Sequence, residues 1–191
     1  MNKQPNNELL YKVGLGLIPK LGPNIYKKII RNCGSAEAFF NMPRGKLERI
    51  QGVGPKLLAY RNQKAKYLSE AEALIDTAVQ HKIQIHCFME ENYPTRLKSL
   101  PDGPPVLYSK GELTLNPKRT IGIVGTRKAT DYGKNITQQI IEELSRFQPT
   151  IISGLAYGID VEAHRAAISR ELPTIGVLGS DLSTIYPSTH K

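Results

Sequence analysis

The chain has 191 residues, which is enough for one or two domains with a hydrophobic core. A composition of 40% hydrophobic and 23% charged residues is typical of globular proteins and excludes fibrous or low-complexity chains. The net charge of +9 arises in residues 1–70, which hold 13 lysines and arginines against four glutamates, while the remainder is balanced. A basic region of this kind is either a solvated surface or the contact for a polyanion.

Several classes of protein are excluded by features that the sequence lacks. Cys33 and Cys87 lie far apart without a CxxC spacing, so no disulfide framework and no zinc site is expected. The polar N-terminus has no apolar core of a signal peptide, and no apolar run approaches the roughly 20 residues of a membrane span. We therefore predict a cytoplasmic protein that binds no membrane, no metal and no cofactor.

Short helices are predicted for the first 80 residues. Helix-capping residues and apolar spacing delimit them at about 7–17, 24–31, 35–40, from Pro43 onward, and 55–80 with a break near Ser69. We predict a small all-α domain at residues 1–80.

From residue 83 the pattern changes to strands. Two segments, 83–88 and 106–111, alternate as strands do, and a turn-rich connection lies between them. Strand and helix then alternate, with strands at 121–124, 150–153 and 174–178 and helices at 132–147 and 160–171. The helix at 132–147 is predicted to be amphipathic, with an apolar stripe formed by Ile136, Ile140, Ile141, Leu144 and Phe147. This alternation predicts an α/β domain at residues 81–191 with a mostly parallel sheet, of which the C-terminal part is missing.

The most specific local motif is IQGVGPKLLAYR at residues 50–61. Gly52 and Gly54 permit a tight turn between helices, and Lys56 adds charge where the next helix begins. It resembles the helix-hairpin-helix motif, which binds DNA backbone, and residues 18–28 form a weaker copy. A purely structural helix pair is the alternative.

A second constellation follows the three strands of the parallel sheet. Ligands of open α/β sheets bind beyond the carboxyl ends of the strands. The candidate phosphate-binding residues there are Gly125, Thr126, Arg127, Lys128, Ser153, Gly154, Tyr157, Gly158, Gly179 and Ser180. The glycines allow close backbone approach, and Arg127 can form a two-pronged contact with a phosphate. Tight turns with an incidental arginine remain the alternative.

Catalytic patterns are weak. Asp160 and His164 are four residues apart, yet an N-cap role for Asp160 and a backbone contact for His164 are the favoured interpretation. Tyr157 and Tyr186 could stack bases, although core tyrosines are commoner. No catalytic residues are predicted.

Four segments taken together resemble the DNA-processing protein A family (DprA, also called Smf): ENYPTRLKSLPDGPPVLYSKG, IGIVGTRKATDYG, IISGLAYGIDVEAHRAAI and PTIGVLGSDLSTIYPSTH. The similarity runs from Glu91 to His190. It implies a Rossmann-like domain preceded by a tandem helix-hairpin-helix (SAM-like) domain. It also implies a single-stranded DNA-binding protein without catalytic turnover that protects incoming DNA, loads the RecA recombinase during natural transformation and forms a homodimer.

By position, the resemblance assigns phosphate contacts to Gly125, Thr126 and Arg127, and glycine loops to Ser153, Gly154, Gly158 and Gly179. Family members often carry lysine at the position of Tyr157, so one backbone cation is absent. The family's later glycine-rich loop and dimer face are expected beyond Lys191. The alternative function is a Rossmann-like nucleotide-hydrolysing enzyme of the phosphoribohydrolase kind, whose PGGxGT loop does not occur in these residues.

Overall fold

The computed structural model describes residues 7–182. The chain divides into two compact units, Met1–Gly111 and Glu112–Lys191. The chain changes from helices to strands after residue 80, whereas the division between the two units lies after Gly111. The two positions differ because the first strand and its partner contact the helices that precede them.

The first unit begins with six helices. Their bounds are α1 Asn7–Gly16, α2 Pro23–Cys33, α3 Ala36–Asn41, α4 Arg44–Leu47, α5 Pro55–Arg61 and α6 Lys64–Gln80. Proline opens α2 and α5, where its missing N–H group leaves no hydrogen bond unmade. The Ser35 hydroxyl caps α3 by accepting the Ala38 N–H group, as the sequence predicts. Tyr26, Phe39 and Leu47 are among the fully buried side chains of their common core.

The break in the last predicted helix lies earlier than expected. It falls at Asn62 and Gln63, between α5 and α6, and α6 runs through Ser69 without interruption. Ser69 is exposed, so its side chain meets solvent and does not disturb the helix. The guanidinium of Arg61, the last residue of α5, donates to the carbonyl oxygens of Phe39 and Phe40. Such long-range contacts are absent from a local sequence pattern.

A two-stranded antiparallel sheet completes the first unit. Strand β1 (Ile83–Cys87) pairs with β2 (Val106–Lys110), and the short helix α7 (Thr95–Lys98) lies in the connection. The connection is held by Tyr93, whose hydroxyl donates to the Pro104 carbonyl. It is also held by buried Lys27 of α2, which donates to the Leu100 carbonyl at 2.6 Å.

The second unit contains a parallel sheet in the order β3–β4–β5. Its elements are β3 Thr120–Gly122, α8 Asp131–Ser145, β4 Thr150–Ser153, α9 Ile159–Ser169 and β5 Thr174–Gly176. Residues Ile121, Ile123 and Ile151 of the sheet pack with Ile141 of α8 and the alanines of α9. The predicted alternation of strands and helices in a parallel sheet is confirmed. Among the described strands the order follows the chain without reversal.

The predicted apolar face of α8 is only partly buried. Ile141 is fully buried, whereas Ile140 and Phe147 are 45% and 42% exposed. Within residues 7–182 the neighbouring elements therefore cover only part of this face. Within residues 7–182, no helix combines the length and the apolar character that a membrane crossing requires.

Candidate phosphate-binding site

The first loop of the candidate site (residues 125–128) leaves the carboxyl end of β3. Pairing with β4 continues to Ile123, whose N–H group donates to the Ile152 carbonyl at 2.9 Å. The Gly125 N–H group then donates to Asp160 Oδ1 at 3.3 Å. Thr126 Oγ1 accepts the Lys128 N–H group at 3.2 Å, which closes a tight turn. The N–H groups of Gly125 and Lys128 are therefore engaged within the protein.

Arg127 and Lys128 lie on this loop and are exposed. Within the described residues neither side chain forms an ion pair or a hydrogen bond. Nearby Asp131 pairs with Lys134 at 3.2 Å instead. Two adjacent cations that neutralise no internal charge are available to an external anion, and Arg127 offers a planar set of donors to it.

The second loop (residues 153–158) begins at Ser153, the last residue of β4, and is held from both sides. Ser153 is only 3% exposed, and its hydroxyl donates to the Ile123 carbonyl at 2.5 Å. The Ser153 hydroxyl thus links the end of β4 to the residue that follows β3, inside the protein, and is not presented to a ligand. Gly154 accepts a hydrogen bond from His164 Nε2 at 2.6 Å. Tyr157 is 46% exposed at the outer part of the loop.

Gly158 ends the second loop and is the N-cap residue of α9, with φ of +84°. The expectation that Asp160 caps this helix is therefore wrong: no side-chain cap is present, and Asp160 lies inside the first turn. Its carboxylate reaches the first loop because the neighbouring Ile159 N–H group donates to the Thr126 carbonyl at 3.2 Å. The expectation that His164 binds a backbone group is confirmed by its contact with Gly154.

The third loop begins after β5, which is tied to the second loop by a hydrogen bond from Val177 N–H to the Ser153 carbonyl at 2.8 Å. Gly179 and Ser180 are exposed, and no atom of the described residues lies within 4 Å of a Cβ built at Gly179. The structure thus joins the first two loops directly and leaves Gly179 and Ser180 open to solvent. Tyr186, considered as a stacking partner, lies outside the described residues.

The predicted helix-hairpin-helix residues lie in the first unit. Gly52 has φ of +96°, and a Cβ there would come within 3.1 Å of the Ile25 side chain of α2. Gly54 is the N-cap residue of α5, and Lys56 is exposed in its first turn. The Lys28 ammonium donates to Gln51 Oε1 at 2.9 Å, so α2 packs against this turn.

The cations of the first unit differ in whether they are bound within the protein. Lys12, Lys27 and Arg61 bind internal groups, and burial lowers the pKa of Lys27, with nearby Arg31 acting in the same direction. Others are exposed and form no ion pair or hydrogen bond within residues 7–182; Lys20, Lys46, Arg49 and Lys56 are among them. The sequence could not separate the groups, because a charge count does not register burial.

Comparison with known proteins places this geometry in a family. A family model described as DNA recombination-mediator protein A matches residues 84–191, more than half of the chain. The chain belongs to this family. The resemblance drawn from its sequence motifs is thereby confirmed, and the family is one of DNA-processing recombination mediators.

Individual relatives agree with this assignment. DNA processing protein DprA of Bacillus subtilis (strain 168) is 38% identical over 133 residues, which cover 69% of this chain and 45% of that protein. Protein Smf of Synechocystis sp. (strain ATCC 27184 / PCC 6803 / Kazusa) is 30% identical over 190 residues, 97% of this chain and 48% of that protein. The chain thus spans about half the length of these curated relatives.

A solved structure is similar as well. The X-ray structure of DNA processing protein A (DprA) from Streptococcus pneumoniae superposes with a TM-score of 0.74 at 25% sequence identity. The superposition covers 95% of this chain and 62% of that chain. The mixed α/β fold with helices and a parallel sheet is confirmed by this similarity.

Proposed function

We propose that this chain is a single-stranded DNA-binding recombination mediator that acts without catalytic turnover, metal or cofactor. In this proposal it protects incoming single strands and loads the RecA recombinase onto them during natural transformation in the cytoplasm. Membership of a DNA-processing family supports the DNA-binding part. RecA loading and transformation are carried over from the resemblance.

The observation that carries the proposal is the presence on the first loop of two adjacent cations that form no ion pair within residues 7–182. Arg127 and Lys128 are exposed on a loop that lies against the N-terminus of α9 through the Thr126 carbonyl. Because the Gly125 N–H group is already bonded to Asp160, we assign phosphate binding to the side chains and not to a backbone cradle. Side-chain cations hold a nucleic-acid backbone without reading its sequence.

Single strands are favoured over duplexes by the second loop. Tyr157 stands partly exposed there, and an aromatic ring beside a basic loop offers a stacking surface to unpaired bases. Bases in a duplex are already stacked on each other and gain nothing from such a ring. Gly179 and Ser180 are exposed and leave the third loop open to the strand.

The helical unit contributes a second, weaker contact in this proposal. We assign the turns around Gly22 and around Gly52 and Gly54 to two helix-hairpin-helix motifs of a SAM-like domain. The exposed cations Lys20 and Lys56 lie in these turns, and Lys46 and Arg49 precede the second one. Their role is an electrostatic attraction to phosphates that is independent of sequence.

The absence of turnover is supported by the state of Asp160 and His164. Both are buried, and His164 has hydrogen-bond partners at both ring nitrogens, Thr174 Oγ1 at 2.7 Å and the Gly154 carbonyl at 2.6 Å. Asp160 is bonded to a backbone N–H group. Groups held in this way are supports for the loops and are not poised for acid–base chemistry.

The homodimer and the contact with RecA are proposals for the whole protein of this family. The chain covers 45% and 48% of the relatives described above, so surfaces of the full-length protein require experiments on that protein. Stimulation of RecA filament formation on protein-coated single strands by the full-length protein would support the loading step. Equal filament formation with and without it would contradict that step.

Fluorescence anisotropy tests the DNA-binding function directly. Labelled oligo-dT and a duplex of equal length are titrated with the protein at several salt concentrations. We expect tighter binding to oligo-dT and an affinity that falls as salt rises. Equal affinity for both substrates would contradict single-strand preference. Release of base from nucleoside monophosphates, followed by chromatography, would instead support the phosphoribohydrolase alternative.

A further inference from the structure

Asp160 and His164 lie one helical turn apart on α9, and their side chains contact the loops of the candidate site from the protein interior. They are 8% and 6% exposed, so neither is a contact for a large external ligand. The function proposed above does not use them as ligand groups. Asp160 is nevertheless hydrogen-bonded to the first loop and His164 to the second loop. Their contribution to the site would therefore be to set the positions of these loops.

The Asp160 carboxylate is wedged between two glycines. Oδ1 accepts the Gly125 N–H group of the first loop at 3.3 Å. A Cβ built at Gly154 of the second loop would come within 2.6 Å of Oδ2. A buried carboxylate is costly unless it is hydrogen-bonded, so the Gly125 N–H group and the carboxylate stabilise each other. The same side chain therefore sets the spacing between the first and second loops.

His164 continues this link to the third strand. Because the Gly154 carbonyl is an acceptor, Nε2 carries the proton and donates to it at 2.6 Å. Nδ1 lies 2.7 Å from Thr174 Oγ1 of β5, and that hydroxyl is 3.1 Å from the Ile151 carbonyl of β4. The second loop is thus bonded to α9, and α9 is in turn bonded to β5 through Thr174.

The position of Arg127 depends on this arrangement. The residue before it, Thr126, accepts the Ile159 N–H group of α9 at 3.2 Å. Gly125 before that is bonded to Asp160 and packs so closely on Ile159 that an added Cβ would lie 2.7 Å from its side chain. If Asp160 released Gly125, the first loop would keep one hydrogen bond to α9 where it now has two.

We propose that Asp160 and His164 are positioning residues that hold the first and second loops at one fixed spacing, so that Arg127 and Lys128 meet a phosphate without prior rearrangement. This inference rests on the phosphate site proposed above. A loop held in its binding geometry binds more tightly because less conformational freedom is lost on association.

The test compares two substitutions of Asp160 in the otherwise unchanged chain. Asp160→Ala removes the acceptor for Gly125, whereas Asp160→Asn keeps an oxygen there and removes only the charge. If positioning matters, Asp160→Ala should weaken oligo-dT binding about tenfold, and Asp160→Asn should bind as wild type or more tightly. If only the lost negative charge mattered, both variants would bind oligo-dT more tightly than the wild type. Weaker binding by Asp160→Ala together with equal or tighter binding by Asp160→Asn therefore identifies positioning.

Two further readouts separate positioning from loss of stability. Amide exchange at Gly125, measured by NMR without DNA, should be about tenfold faster in Asp160→Ala and close to wild type in Asp160→Asn. The dependence of log K on log salt should flatten in Asp160→Ala by about 0.7, the value of one single-strand phosphate contact. A variant that is merely less stable but still folded would keep the wild-type slope.

Glu162→Ala is the matched control. Glu162 is a carboxylate on the same helix with the same 8% exposure, but it accepts from Gln138 of α8 at 2.5 Å and not from a loop. Its removal should leave Gly125 exchange and the salt dependence unchanged. Gly154→Ala should reproduce the Asp160→Ala result from the opposite side, because the new Cβ pushes against Oδ2, and it carries the test if Asp160→Ala does not fold.

The outcomes distinguish this inference from the function on which it rests. Unchanged Gly125 exchange in both Asp160→Ala and Gly154→Ala would overturn the inference without any reference to DNA. Faster exchange with unchanged binding, in a protein where Arg127→Ala binds weakly, would overturn positioning and leave the phosphate site intact. Unchanged binding in Arg127→Ala would overturn both.

Discussion

Gly158 packs directly on the carbonyl oxygen of Thr126, with no room for a side chain between them. Its φ of +84° lies in the region that residues with a Cβ rarely adopt. This contact brings the second loop onto the backbone of the first loop, immediately before Arg127. The geometry of the candidate phosphate site therefore depends on a glycine at position 158.

Gly158→Ala is expected to lower the free energy of unfolding by at least about 2 kcal/mol, because the strained backbone and the collision with Thr126 add together. Chemical denaturation monitored by circular dichroism measures this change. Gly179→Ala is the control, since a Cβ there meets no atom of residues 7–182 within 4 Å, and it should change stability by no more than about 0.5 kcal/mol. Equal stability of the two variants would show that the loops separate easily.

Arg127→Ala is expected to weaken oligo-dT binding by about 1.5–3 kcal/mol, the range for hydrogen bonds to a charged group. Arg127→Lys should recover only part of this loss, because an ammonium cannot reproduce the two parallel hydrogen bonds of a guanidinium. Arg127 has no ion-pair partner within residues 7–182, so the melting temperature should barely change.

Arg170→Ala provides the control for this prediction. Arg170 is an exposed arginine just after α9 whose guanidinium pairs with Glu142 at 2.6 Å, at the end of the helix remote from Gly158. The Arg170→Ala substitution removes one positive charge, as Arg127→Ala does, but at a position away from the loops. This variant should bind oligo-dT nearly as well as the wild-type protein. A large drop in melting temperature for Arg127→Ala, with binding retained, would make Arg127 a structural residue.

Lys56→Glu tests the contribution of the helical unit. Lys56 is exposed in the first turn of α5 and forms no ion pair within the described residues. If it contacts a phosphate, its reversal should flatten the dependence of log K on log salt by about one phosphate contact. Lys66→Glu makes the same change of charge on α6 and should leave the slope nearly unchanged. Identical slopes for both variants would mean that the turn is only structural.

His86 is expected to make the first unit sensitive to acid. It is 3% exposed, its Nε2 lies 2.7 Å from Ser109 Oγ, and its Nδ1 has no hydrogen-bond partner among the described residues. Burial lowers the pKa of His86 below its ordinary 6.5, although Glu90 acts in the opposite direction. Below pH 6.5 the unfolded chain therefore binds a proton at this residue more readily than the folded chain does.

The free energy of unfolding should consequently fall as the pH decreases below about 6.5, since the unfolded state then holds more protons. His86→Gln keeps a polar group near Ser109 but does not titrate, and it should flatten this decrease. His81→Gln, at an exposed position after α6, is the control and should retain the wild-type dependence. Urea denaturation at several pH values between 5 and 8 provides the measurement.

The local sequence determined much of the fold. Proline at the starts of α2 and α5, and serine before α3, fixed where those helices begin, because the first turn of a helix has N–H groups that only certain residues satisfy. Alternating strands and helices after residue 120 required a parallel sheet, and glycines after the strands indicated a site at its carboxyl edge. The motifs were also sufficient to identify the family.

Only the tertiary structure decided which of the candidate groups remain available to a ligand. The Ser153 hydroxyl donates to the Ile123 carbonyl, and the Gly125 N–H group donates to the Asp160 carboxylate. The Lys27 ammonium is buried and donates to the Leu100 carbonyl. In each case the partner is at least 30 residues away in the chain. Local patterns report spacing and residue type, whereas hydrogen bonding and burial depend on which distant segments the fold brings into contact. Arg127 and Lys128 were candidates from the sequence, and folding left them exposed and unpaired within the described residues.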